Sequence, residues 1–399
     1  LQIQHTDRSL DESIQLAELG VDDKVGIISV IGERESYPTP YYLAQLSETE
    51  SFSEQSAPKH AAGVAVDWDR AFMKGLGEAY ERYCSGVYYT DRFTTTSITE
   101  ITNPVRPNEF VRPSDADEIT VNEDIHWTKG ISLPDETVVH LPAELVYFPP
   151  PEERIRPAIT TGLGLGNSTV EALLSGLYEI IERDAAMIAW YSTYEPLGLS
   201  ITNEEFATLR RRARSEDLSV VAVLLTQDID IPVVAVYVYR DEWPQFAAGS
   251  AAAPTAEQAA LEGFEEAIQN WMELRTMGVE EAKNSDGAIG EYASFPRSVR
   301  HLVDIDATAD ASQIGTSLET KQSELEHVID KIGAAELDIY ATQITTRDVD
   351  SLGFNAVRTL IPDAQPLFID EPYFGDRAKT VPRELGFSAR LDRPFHPYP

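Results

Sequence analysis

Apolar and polar positions divide the chain into short β-rich runs and a few long helical stretches. "KVGIISVI" (24–31) and "YYLAQLS" (41–47) are short and rich in β-branched or aromatic residues, and predict an early strand pair. Residues 66–84 carry Phe72, Leu76, Tyr80 and Tyr83 on one face at about 100° per residue, which predicts a helix. Residues 98–158 read as strands and proline-rich loops. Further helices are predicted over 168–191, 203–216 and 254–274, with strands at "LSVVAVLLT" and "IPVVAVYVY" between the last two. The final hundred residues alternate acidic helix with strand, as in "LDIYATQIT" and "NAVRTLIP". No Gly/Ser linker interrupts the pattern, so one large α+β unit with mixed sheets and long helices is expected over 1–399.

Composition narrows the setting. A chain of 399 residues, 42% hydrophobic, is ample for a large core. The net charge is −35, with 8 Lys against 24 Arg. Acid excess with few lysines suggests solvation in molar salt, as in halophiles, and the apolar content argues against disorder. No basic patch suits nucleic acid. The densest basic run, Arg210 to Arg214, lies in an acidic helical stretch and reads as a solvated face. The single cysteine, Cys84, excludes disulfides within the chain and thiolate zinc clusters, and beside Tyr83 it reads as packing. The seven histidines show no metal spacing. No apolar run approaches the roughly 20 residues that span a bilayer. No signal pattern opens the chain, and the cytoplasm is the expected location.

The chemistry gathers on the helices. Gly162, Gly164 and Gly166 precede a helix, like a phosphate loop. A dinucleotide fingerprint would need glycine where Asn167 stands, and the lysine of a P-loop is absent. Glu78-x-x-Glu81-Arg82 and Glu179-x-x-Glu182-Arg183 each place two carboxylates on one helical face, and Glu266-x-x-Gln269 repeats the spacing. Taken alone, the first pair fits a solvated face. The second does not, because its helix is apolar nearly all round, with a polar stripe of Glu171, Ser175, Glu179 and Glu182. Carboxylates there need a cation, so a closed polar cavity is expected. Ser168-x-x-Glu171 has a second reading as a capping box. Glutamates without His or Cys favour magnesium or calcium, and a glycine turn at a helix N-terminus suits an anion. Together they read as a magnesium–nucleotide site, with Arg82 and Arg183 balancing phosphate charge.

These segments resemble the YcaO family of ATP-dependent enzymes. "GLGEAYERYCSG", "TTGLGLGNSTVEALLSGLYEIIERD", "AAGSAAAPTAEQAALEGFEEAIQ", "FNAVRTLIP" and the terminal "PFHPYP" are similar to five family motifs in order. The resemblance implies a strand region over 1–59, a catalytic core over 60–390 and a proline-rich tail over 391–399. It implies activation of a peptide backbone amide by ATP, giving a thioamide, slightly preferred, or an azoline ring. Glu78, Glu81, Glu179 and Glu182 would ligate magnesium. Lys74, Arg82, Asn167, Glu171, Glu266, Gln269 and Arg358 would line the ATP site, and Arg183, Pro397 and Pro399 would stand at the reacting centre. The tail has a bland reading too, as a frayed terminus.

The resemblance implies a peptide or protein substrate and leaves open a TfuA-like or leader-peptide-binding partner and a homodimer. The preference for a thioamide rests on the chain's likeness to stand-alone archaeal members. Lys74, Glu262, Thr161 and Asp363 depart from the family pattern, and Lys74 is expected to replace a missing arginine near the phosphates. The competing function is a nucleotide-binding accessory protein that assists another modifying enzyme. A glycosidase is disfavoured by the paired arginines.

Overall fold

The computed structural model describes residues 1–3, 6, 8–284 and 288–398. Among them fourteen strands form three sheets. The first contains β1 (Ile28–Glu35), β2 (Tyr41–Leu46) and β3 (His60–Val64), antiparallel in that order. β1 begins later than its apolar run suggests, because the Asp22 carboxylate accepts the amides of Lys24 and Val25 and turns the chain there.

The second sheet runs β4 (Thr94–Ser97), β5 (Asp124–Ser132), β13 (Tyr340–Gln343), β14 (Asn355–Leu360) and β7 (Leu163–Gly166), with β6 (Val138–Pro142) also paired to β5. The third runs β11 (Phe246–Ala252), β10 (Val233–Tyr239), β9 (Ser219–Leu224), β8 (Leu197–Ser200) and β12 (Thr308–Asp310), with β12 parallel to β8.

The glycine stretch at 162–166, expected as a nucleotide-holding loop, is instead strand β7 at a sheet edge. Its backbone is committed to the ladder with Asn355–Arg358. Glycine serves close packing there, since a Cβ on Gly164 would collide with the helix backbone at Ala172.

The helices are α1 (Leu10–Glu18), α2 (Trp68–Gly86), the short α3 (Ala143–Val146), α4 (Thr169–Trp190), α5 (Glu204–Arg214) and α6 (Ala256–Asn284), followed by shorter ones. α6 runs beyond its expected end and breaks at Gly278, whose φ is 77°. On α5, Arg211 and Arg214 are exposed, in keeping with a solvated face. Among the described residues, no helix is long and apolar enough to cross a membrane.

One unit occurs three times: an edge strand followed directly by a long helix, as β3–α2, β7–α4 and β11–α6. Each helix start is capped by a side-chain oxygen. Asp67 accepts from the Arg70 amide, Ser168 from Glu171 and Thr255 from Gln258. Each helix packs on its own strand and on the next unit's strand: α2 on β7, α4 on β11 and α6 on β3. The pleat of β10 explains the layering. Val233, Ala235 and Tyr237 bury with α4, while Val234, Val236 and Val238 bury with α6. β14 divides likewise, with Ala356 and Leu360 toward α2 and Val357 toward α4. Three sheets and three helices thus alternate around a common centre.

Candidate active site

The centre is built from the three repeated units. In each, a helix glutamate reaches back to a backbone amide at or beside its own edge strand. Glu78 accepts from Ala62 at 2.8 Å, Glu179 from Gly162 at 2.9 Å and Glu266 from Ser250 at 2.6 Å. An edge strand leaves such amides unpaired, and the carboxylate satisfies them. Four residues on, Arg82 pairs with Glu78 at 2.9 Å and Arg183 with Glu179 at 3.1 Å. In the third unit that position is Asn270, which donates to the Ala248 carbonyl. Three residues on stand Glu81, Glu182 and Gln269. Glu182 accepts from the Ser250 hydroxyl at 2.6 Å, so the second and third units are joined directly.

The electrostatics follow from this convergence. Burial, then the charge of Glu179, pushes the Glu81 carboxyl up to about 8. Burial, then the charge of Glu266, holds Glu182 well above the usual carboxylate range. Burial raises Glu266 to about 7, and Glu179 adds to the rise. Glu81, Glu182 and Glu266 have no ion-pair partner among the described residues. The expected cavity is open on one side, since the side chains of Glu78 and Glu179 keep 32% and 26% exposure. Glu78 and Gln269 line one cleft of about 590 Å³ with Tyr41, Arg34 and His60.

The other sequence-chosen residues divide. Asn167 and Glu171 are bonded to each other, because the Glu171 carboxylate accepts both the amide and the side-chain nitrogen of Asn167. The expected capping box is thus half realised: Ser168 caps the Glu171 amide, but Glu171 returns its bond to Asn167. The Asn167 side-chain oxygen, Oδ1, accepts from the Ser13 hydroxyl at 2.8 Å and from Arg8 at 3.4 Å, two residues the sequence did not mark. Arg358 is turned to the chain ahead of β7, donating to the carbonyls of Thr160 and Ile159.

Lys74, expected near the phosphates, is paired within the protein. Its ammonium is held by Glu265 at 2.5 Å, and Glu262 and Glu266 lie within electrostatic reach. Its charge is therefore matched by protein carboxylates rather than left free. Cys84 is buried beside Thr346, and burial pushes its thiol up to about 12, as suits packing.

The tail is seated in the core rather than frayed. Trp190 donates to the Pro394 carbonyl, Tyr237 bonds Tyr398, and Pro397 is buried. His396 donates to the Phe368 carbonyl; burial pushes its pKa down to about 4, and the Arg183 charge adds to the fall. Pro399 lies outside the described residues. Sequence reading also missed Asp184, which binds Arg377 at 2.7 Å through two of its nitrogens, with Asp228 on the same guanidinium. Nothing local signals that pairing across nearly 200 residues. A larger cleft, about 1000 Å³, is lined by Tyr83, Tyr88, Phe93 and Tyr147 and includes none of the glutamates of the centre.

The donor set suits magnesium with a polyphosphate. Half-buried carboxylates without counter-ions, all oxygen donors, fit a hard cation. Among the described residues, no three such side chains close on a single bare ion.

Residues 62–365 match the profile of a family described as YcaO cyclodehydratase, ATP- and Mg2+-binding. An uncharacterized protein of Methanothermobacter thermautotrophicus is 31% identical over 137 residues, which are 33% of this chain and 35% of that protein. A heterocyclase solved in complex with substrate and cofactor superposes with a TM-score of 0.83 at 19% identity, covering 99% of this chain and 58% of that one. YcaO from Methanopyrus kandleri, bound with AMPPCP and Mg2+, gives 0.71 at 20% identity over 92% and 94% of the two chains. The chain thus spans about a third of the curated relative and somewhat over half of the heterocyclase. The profile match runs from β3 through all three strand–helix units to beyond β14, and the chain belongs to the YcaO family.

Proposed function

We propose that the protein uses ATP and magnesium to activate a peptide backbone amide, whose oxygen leaves as phosphate while a nucleophile takes its place. A thioamide is the favoured product and an azoline ring the other. The observation that carries this reading is the threefold arrangement of glutamates held on edge-strand amides, close enough that Glu179 raises Glu81 and Glu266 raises Glu182, with more carboxyl groups than arginine partners. Glu78, Glu81, Glu179 and Glu182 would hold magnesium, which neutralises phosphate charge when bound. Asn167, Glu171, Glu266 and Gln269 would line the nucleotide, with Arg82 and Arg358 behind them.

Arg183 is fixed on two sides, by Glu179 and by the Thr161 hydroxyl at 2.8 Å, and presents its charge without reorganising. Positioning and charge neutralisation are most of what phosphoryl transfer asks of a protein, and no nucleophilic side chain is required. The buried tail, with Pro397, would shape the wall beside Arg183.

The test is phosphate release with candidate peptides, followed by mass spectrometry. Peptide-dependent release that Glu179→Gln abolishes supports an enzyme. Loss of one water per site marks a ring, and exchange of oxygen for sulfur marks a thioamide. If a partner enzyme's activity survives Glu179→Gln, the accessory role replaces this reading.

A further inference from the structure

We propose that Arg393 is a positioning residue: it clasps the C-terminal tail to the end of α4, so that the residues after it lie beside Arg183, and the clasp closes only while His301 is neutral. Its effect on turnover rests on the amide-activation reading above; the clasp itself does not.

The last carbonyls of a helix have no partner within it, and the helix dipole favours a cation there. Arg393 takes that place on α4 from the far end of the chain. Its Nη1 donates to the Trp190 carbonyl at 2.7 Å and to the Ser192 carbonyl at 3.3 Å. Its Cζ stands 4.5 Å from the centroid of the Trp190 ring. The tail is tied to the same helix end on both sides of Arg393. The Arg390 amide donates to the Tyr191 carbonyl at 2.7 Å, and Trp190 Nε1 donates to the Pro394 carbonyl at 2.9 Å. Three residues on, His396 is buried and feels the Arg183 charge. The clasp thus fixes where the chain enters the wall beside Arg183.

His301 completes the clasp. It lies on the helical turn Arg297–Leu302, with its ring 28° from the plane of the Trp190 indole and the centroids 6.3 Å apart. Arg393 Nη2 and His301 Nε2 are 3.1 Å apart. A guanidinium has only donors, so Nε2 accepts and the imidazole is neutral, with its proton on Nδ1. A second proton, on Nε2, removes the acceptor and sets two cations against each other. Tyr398, Arg390, Tyr292 and Tyr191 are the titratable groups that act on Arg393, and Arg393 is the charged side chain that acts on His301. Burial holds those three phenols above their usual range, so none is negative near neutrality. Asp392 lies 3.9 Å from Arg390, and Glu291, on the short helix Ala288–Tyr292, acts on Tyr292. Among the described residues no carboxylate pairs with Arg393 to offset a charged His301.

The direction of the pH effect follows. Partial burial, then the Arg393 charge, holds the His301 pKa below its ordinary 6.5. A depressed histidine pKa contributes stability that is present above 6.5 and lost as the pH falls through the native value. His301 is open to solvent, so protons reach it. Arg393 therefore holds the tail at neutral pH and releases it in acid.

Hydrogen exchange at the amides of Ser388, Arg390 and Arg393 reads the clasp, because each donates a hydrogen bond in the seated tail. Wild type and His301→Gln are compared with each other at about pH 7.5 and again at about pH 5, so that intrinsic exchange rates cancel. Glutamine keeps a side-chain acceptor and does not titrate. Protection is expected to be equal at the higher pH and about tenfold lower in the wild type at the lower one. Arg393→Met should lose protection at both, and Arg393→Lys should recover part of it. In peptide-dependent phosphate release near neutrality, Arg393→Met should lower kcat by about tenfold and leave KM for ATP within a few-fold, while His301→Gln matches the wild type. Equal protection of wild type and His301→Gln in acid overturns the part given to His301. Wild-type protection in Arg393→Met overturns the clasp, and a loosened tail with unchanged kcat overturns the positioning role. Should Arg393→Met fail to fold, the comparison of wild type with His301→Gln decides alone. Absence of phosphate release with every peptide, with exchange following the expected pattern, counts against amide activation and leaves the clasp standing.

Discussion

Glu179 Oε2 accepts the backbone amide of Gly162 at 2.9 Å, tying the middle of α4 to the residue just ahead of strand β7. The same helix-to-edge bond recurs at Glu78 and Ala62 and at Glu266 and Ser250. Each glutamate is thereby aimed by its own strand, and the meeting of the three strands sets the charge of the centre.

Replacing Glu179 with Gln keeps an acceptor for Gly162 and removes only the charge. Glu179→Gln is expected to fold with a melting temperature near that of the wild type. Its magnesium- and peptide-dependent phosphate release should fall by about a hundredfold or more. Wild-type turnover in this variant would show that the Glu179 charge is not used.

Metal binding should release protons. The Glu81 and Glu266 carboxyls stand at about 8 and 7 against an ordinary 4.5, so the metal-free folded protein holds protons there that the unfolded chain has lost. Where the native state binds more protons, stability falls as pH rises, here between about 4.5 and 8. Thermal melts should show that decline without magnesium and a weaker one with magnesium and a nonhydrolysable nucleotide. Titration in buffers of different ionisation heat should show proton release, and apparent magnesium affinity should climb from pH 6 to pH 8, as follows when protons compete for the ligands. Affinity independent of pH would contradict this.

Asp184 is 1% exposed, and its partner Arg377 is 10% exposed. Asp184→Asn leaves the guanidinium with Asp228 alone and removes charge from a buried pair. A loss of about 3–5 kcal/mol in chemical denaturation is expected, the usual cost of breaking such a pair from one side.

Lys74→Met separates two roles for that lysine. Glu265, with a side chain 6% exposed, loses its cation and keeps only the Val66 amide. Stability should fall by about 1–3 kcal/mol. Because the Lys74 charge is already matched, the Michaelis constant for ATP should stay within a few-fold. A large rise in that constant would restore the lysine to the phosphates.

A chain of net charge −35 repels itself at low ionic strength. Its melting temperature should rise steeply as potassium chloride goes from 0.1 M to molar levels, where the screening length shrinks from about 10 Å to about 3 Å. A salt-independent melt would remove electrostatic repulsion from the account.

Much of this was legible beforehand. The helices holding Glu78, Glu179 and Glu266 and the strands at 219–224 and 233–239 follow from apolar periodicity within a few residues, except at the C-terminal end of α6, which runs on to Asn284. Strands β3, β7 and β11 were not legible. They are short and rich in glycine and alanine, with little β-branched content, and are strands because neighbours pair with them. The Arg8–Asn167, Lys74–Glu265 and Asp184–Arg377 contacts were equally hidden, since their partners lie far apart in sequence.

By itself, the sequence determined which residues share a helical face: the paired carboxylates, their arginines and the apolar stripe that buries them. That is a local property, set by a period of 3.6 residues. The tertiary structure alone decided that three edge strands meet, which amide each glutamate binds, and which arginines are left without a counter-ion. Those depend on segments brought together across long stretches of chain, where packing and charge act through space rather than along the sequence.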